Sequence, residues 1–189
     1  MGMSASTHGR TIRVNRAPVL TLWAAVVAER LGFDREAALT LGRAVAGSSA
    51  QMKGRALGIY EPSDEPPSKA TEERRERLKP DETLGVRLLG RTVPAIRIPE
   101  GIRAMDKDFR PASARSVERY LESKFGGDLD EVRTAMERLA ASLSPDELNR
   151  RGFGLYEAFR PAIPAGARGW GAAGELDLDR ITALAHGEP

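Results

Sequence analysis

The chain has 189 residues, with 29 Lys plus Arg against 27 Asp plus Glu, two histidines and no cysteine. A chain of this length buries roughly 70% of its unfolded surface, so its core needs no staple, and the missing thiols exclude disulfides, cysteine nucleophiles, zinc–thiolate sites and iron–sulfur clusters. The 41% apolar content includes 27 alanines, which leaves 50 large apolar residues for one modest core.

The net charge of +2 is unevenly spread: +5 over residues 1–60, −1 over 61–80, +2 over 81–120 and −4 over 121–189. A basic first third attracts phosphates, while the acidic last third shields it, meets another partner or keeps the chain soluble. Twenty-four of the 29 bases are arginine. With so much alanine and glycine this also fits a GC-rich gene and does not by itself establish phosphate contacts.

Thr11 to Asn15 alternates apolar and polar residues as a short extended segment does, and Pro18 suits a first helical turn. Leu20, Trp23, Val27 and Leu31 recur at helical spacing, and Leu22 and Val26 widen the stripe until the helix is apolar nearly all round, which makes it the central core helix. Its uncharged run of twelve residues, Ala17 to Ala28, is far short of the ~20 that span a bilayer. The first thirty residues lack the order of a cleavable signal, and Met1 to Ser6 fits a myristoylation pattern too short to carry weight. A cytoplasmic protein is expected. Gly32 ends the first helix, Asp34 caps a second with Ala38, Leu41 and Val45 inward, and Ser48 or Ser49 caps a third around Ala50 to Leu57.

Residues 61–70 form a proline-rich polar linker, followed by a short charged helix that Thr71 caps. Two strands on either side of Gly90-Arg91 predict a small hairpin, with Pro94 at an edge or a bulge, and Arg103 to Pro111 reads as irregular. Ser113 starts a helix that stops at Gly126, Asp128 with Glu131 forms a capping box for the next, and Ser144-Pro145-Asp146-Glu147 opens another. A glycine and proline loop around Trp170 leads to a last short helix carrying Leu178, Ile181 and Leu184. The expected fold is mainly α, in the α+β class. It has a basic arm and three-helix bundle over 1–60, a polar linker with a short charged helix over 61–80, and a β-hairpin plus helical part over 81–189.

No catalytic site stands out, because His8 and His186 lie in the tails and no nucleophile elbow, dinucleotide fingerprint, H-E-x-x-H pair or calcium loop is present. Gly47 to Gly54 is not a phosphate loop, since Lys53 is followed by glycine and a helix precedes it. The carboxylate pairs Asp106/Asp108, Asp128/Asp130 and Asp177/Asp179 read as capping or solvated groups rather than metal ligands, and no cofactor is indicated. Arg55 to Glu61 and Arg151 to Glu157 share Arg, Gly, Tyr and Glu at one spacing, but their flanks diverge. Trp170 is read as packing against its own domain rather than as a stacking platform.

The arrangement that points to a function is a basic arm, Arg10, Arg13 and Arg16, ahead of a bundle whose third helix exposes Gln51, Lys53 and Arg55. Arm and recognition helix in that order serve adjacent DNA grooves in helix-turn-helix-like proteins. The reading is therefore a non-catalytic nucleic-acid-binding protein, DNA first, with no membrane partner. The alternative is a helical protein-interaction or assembly module, with a protein partner or a homo-oligomer.

Overall fold

The computed structural model describes residues 9–56, 66–163, 165–166 and 173–189, and of residues 50–56 the backbone alone. The fold is mostly helical with small antiparallel β elements, the α+β class expected from the sequence. It is organised around helix α1 (Arg16–Arg30), in which all residues from Pro18 to Ala28 are buried. A helix apolar on every side must be covered on every side. The indole of Trp23 donates from Nε1 to the Gly152 carbonyl at 2.9 Å, and its ring meets Phe159 edge-on with centroids 5.4 Å apart, so its bulk is buried with its one donor satisfied.

Gly32, at φ 108°, turns the chain, and the Asp34 side chain accepts from Ala37 N to open α2 (Arg35–Ala56). The expected third helix is absent, because α2 runs unbroken through Gly47-Ser48-Ser49. These residues include no proline, and keeping Gly47 helical costs only about 1 kcal/mol relative to alanine, less than renucleating a helix after a turn. Two helices thus replace the predicted three, and neither serine is a cap. A Cβ at Gly42 would lie 2.5 Å from the Thr21 carbonyl oxygen and 2.8 Å from Ala25 N, so the backbones of α1 and α2 approach closely here.

Ser68, rather than Thr71, caps α3 (Lys69–Arg77), accepting from Thr71 N. Strands β2 (Thr83–Leu88), β3 (Arg91–Ile98) and β4 (Gly101–Ala104) form an antiparallel meander. The hairpin turn is Leu89-Gly90, one residue earlier than predicted, with φ 50° and 75°. Leu89 accepts this unfavourable backbone because its side chain is buried against Gly152, where a Cβ would collide with it. Pro94 lies in the central strand, not at an edge. Its carbonyl accepts from Met105 N, so its nitrogen faces the β4 side where that strand has just ended and no hydrogen bond is forfeited. Arg103 and Ala104, predicted irregular, belong to β4, which lies on α2 with Ala104 N donating to Thr40 Oγ1.

Helix α4 (Ala114–Phe125) begins at the Ser113 cap and ends at Gly126, and a 3-10 turn (Gly126–Asp128) leads to α5 (Leu129–Ala141). Ser144 and Glu147 form the expected capping box of α6 (Pro145–Phe159). The first strand closes the fold: β1 (Thr11–Val14) pairs antiparallel with β5 (Gly174–Asp177), from which α7 (Leu178–Ala185) starts at the Asp177 cap. One hydrophobic core collects residues from β1, α1, α2, the meander, α4 to α6 and α7.

The two glycines of α2 should behave oppositely. Gly42→Ala should lower unfolding free energy by about 1–3 kcal/mol or more, since backbone must move to admit the methyl group. Gly47→Ala, with nothing within 4 Å of the new atom, should raise it by up to about 1 kcal/mol. Urea denaturation of both variants measures the difference.

Candidate functional site

The six residues singled out by the sequence fall into different surroundings. Arg10 is not part of a free arm. Its Nη2 lies 2.6 Å from Asp128 Oδ1 and its Nε 3.2 Å from Glu131 Oε2, tying the start of β1 to the start of α5. This also explains why the predicted Asp128/Glu131 capping box does not form: Asp128 makes no cap hydrogen bond. Arg13 stands exposed in β1 opposite Glu175, and makes no ion pair among the described residues. Arg16 opens α1 and donates from Nε to the Pro161 carbonyl at 3.0 Å, just beyond the C-terminus of α6. Burial, then the charge of Arg160, holds the Arg16 guanidinium below its ordinary pKa. Neither Arg16 nor Arg160 lies within ion-pair distance of a carboxylate among the described residues.

Gln51, Lys53 and Arg55 lie on the last turns of α2, and their side chains are outside the described residues. Gly42 meets α1 between Thr21 and Ala25, so seven residues further on α2 draws level with Arg16. The rest of α2 projects past the start of α1 by roughly 10 Å at 1.5 Å per residue. The fold therefore brings the second set to the end of the molecule that holds Arg13, Arg16 and Arg160. It does so on one continuous helix. The turn that a helix-turn-helix reading requires at residues 47–49 is not there.

Arg160 was missed from the sequence, where it reads only as a base closing a helix ahead of Pro161. Its proximity to Arg16 joins residues 144 positions apart, and no local pattern encodes that. Arg103, also missed, is buried in β4, pairs with Glu36 and donates to the Ile102 carbonyl at 2.8 Å, fastening the sheet to the first turn of α2.

Other candidates take structural roles. Asp106 Oδ1 accepts from Asp108 N and Arg110 N within its own loop, and Asp108 Oδ1 accepts from the Thr71 hydroxyl at 3.2 Å. Asp177 caps α7, while Asp130 is exposed. The described residues hold no group of three or more side chains placed to bind a metal. His186 lies exposed beside a cleft of ≈ 400 Å³ shared with Arg138, Thr182 and Ala185; His8 falls outside the described residues. So do Trp170 and most of the first copy of the Arg55–Glu61 pattern, whereas the second copy lies in α6 and places Gly152 under Leu89 and Tyr156 beside Arg16. No helix among the described residues is long and apolar enough to cross a membrane. No protein-family model, curated protein or solved structure matches the chain.

Tyr156 gives the basic end a pH signature. Its hydroxyl reaches the Arg16 carbonyl at 3.5 Å, and burial raises its pKa above the ordinary 10.0, opposed by the charges of Arg16 and Arg160. The folded state therefore holds the proton more tightly than the unfolded chain. That stability is fully present below pH 10 and is lost as pH rises through the folded pKa. Tm measured from pH 8 to 11 should fall on the alkaline side in the wild type, and the fall should be shallower in Tyr156→Phe.

Proposed function

We propose that the chain is a non-catalytic nucleic-acid-binding protein that meets phosphates at the end where β1, the start of α1, the tip of α2 and the end of α6 come together. The observation that carries this reading is the placement of Arg16 beside Arg160 with no carboxylate paired to either. The partly desolvated Arg16 guanidinium is repelled by the charge of Arg160 in the free protein, and a phosphate between or beside them turns that repulsion into attraction. Arg13, exposed on the adjoining strand, adds a third charge, and the projecting turns of α2 that carry Gln51, Lys53 and Arg55 extend the contact along a backbone.

The mode of contact differs from arm-plus-recognition-helix docking. With α2 continuous and Arg10 engaged by two carboxylates, phosphate contact replaces base reading as the main source of affinity. Affinity should then depend on charge and salt far more than on sequence.

Fluorescence polarisation on a random DNA duplex, repeated across salt concentrations, tests this. Binding at low salt should weaken steeply as salt rises, and the combined Arg13→Gln, Arg16→Gln and Arg160→Gln variant should lose affinity for every duplex, with the salt slope reduced by about one per phosphate contact removed. Arg10→Gln should leave both affinity and slope nearly unchanged. Absence of binding at low salt, or a triple variant that binds like the wild type, refutes the proposal.

A further inference from the structure

Two arginines are buried among the described residues, and the fold treats them differently. Arg103, 5% exposed, has its counter-ion in Glu36 and a carbonyl acceptor in Ile102. Arg133, 9% exposed on α5, has neither among the described residues: its guanidinium makes no hydrogen bond or ion pair with them, and Nη1 is wholly buried without an acceptor. The acids one turn away on the same helix, Asp130 and Glu137, are exposed and not paired with it. Burying Nη1 without an acceptor costs roughly 1–3 kcal/mol, and a leucine or methionine would fill the same space without that cost.

A second donor of the same kind stands at a similar level along α1. Among the described residues, the other buried side-chain atom without a partner is the hydroxyl oxygen of Ser49. Seven residues beyond Gly42 on the side of α2 that faces α1, Ser49 stands level with the first turn of α1. Helix α5 runs alongside α1 in the same direction. Arg10, just before α1, binds Asp128 and Glu131 at the start of α5, and Arg30, at the end of α1, donates to the Leu143 carbonyl just past the end of α5. Arg133, one turn into α5, therefore stands level with the opening turns of α1, within about a turn of Ser49 along the axis.

We infer that Arg133 is the receptor of a small oxyanion of the phosphate class, which supplies the counter-charge that the fold omits, with the Ser49 hydroxyl as a second donor. The planar fork of arginine matches two oxygens of such an anion, and burial strengthens the contact relative to water. The anion is a small free one, because Nη1 is too deep for the backbone phosphate of a duplex. The inference stands apart from the nucleic-acid reading.

Thermal unfolding of the whole chain in rising inorganic phosphate, against chloride at matched ionic strength, tests it. Wild-type Tm should climb with the logarithm of phosphate concentration, by about 5–10 °C at a hundredfold excess over Kd for a chain of this size. Arg133→Met should be as stable as the wild type or more so without phosphate, and should show only the general effect of an excluded salt. Arg133→Lys, which keeps the charge and loses the fork, should lose most of the rise and guards against a methionine variant that fails to fold. Arg160→Gln should keep the full rise. The inference is overturned if wild-type Tm does not distinguish phosphate from chloride, if both Arg133 variants keep the rise, or if only Arg160→Gln abolishes it.

Discussion

Helix α2 lies on α1 only because residue 42 has no side chain. A buried helix whose surface is apolar all round is stable when its neighbours come close enough to exclude water along its whole length, and here Gly42 of α2 lies against the α1 backbone at Thr21 and Ala25, while Ala24 and Ala28 on α1 and Ala38 and Ala46 on α2 are buried as well. Small residues at the contact exchange side-chain volume for proximity, and the larger side chains to either side, Leu22, Trp23, Leu41 and Val45, fill the space that remains. The rest of the molecule packs on this pair. β4 and α4 lie on α2, while α5 and α6 lie on α1. The length of α2 beyond the contact sets how far its tip projects, and the start of α1 sets where Arg16 meets the end of α6.

The same arrangement determines which charges are neutralised. Asp128 and Glu131 of the acidic last third are engaged by Arg10, and Glu118 by Arg35 at 3.0 Å. These pairs are substantially exposed and hold register more than they stabilise. What they leave over is informative. Among the described residues, Arg13, Arg16 and Arg160 make no ion pair with a carboxylate.

Helix α3 illustrates a different kind of attachment. It contributes no residue to the hydrophobic core, and its contacts run through Asp108: the Thr71 hydroxyl to the carboxylate, Arg74 Nε to the carbonyl at 2.9 Å, and Arg75 over the Phe109 ring at 5.9 Å. Phe109 holds a φ of 60°, stabilised by the Asp106 side chain folding the loop around its own backbone. A run of charged residues is thereby seated on the body of the protein by hydrogen bonds and a cation–π contact.

Much of the framework was legible in the sequence because it is written in local chemistry. The apolar circumference of α1, the Gly32 and Gly126 stops, the Asp34, Ser113 and Asp177 caps and the Ser144/Glu147 capping box each depend on residues within one or two turns. The errors fell where helix continuity or a distant partner overrides a local preference. Gly47-Ser48-Ser49 stays helical because α2 has already nucleated, Leu89 takes a glycine's backbone because Gly152 receives its side chain, and Asp128 gives up capping because Arg10 reaches it from more than a hundred residues away. For the candidate site, the sequence identified the basic residues near the N-terminus. Only the tertiary structure decided that Arg10 is spent on an internal pair, that Arg16 stands beside Arg160, and that Arg133 is buried without a counter-charge, because each depends on which helix ends meet in space.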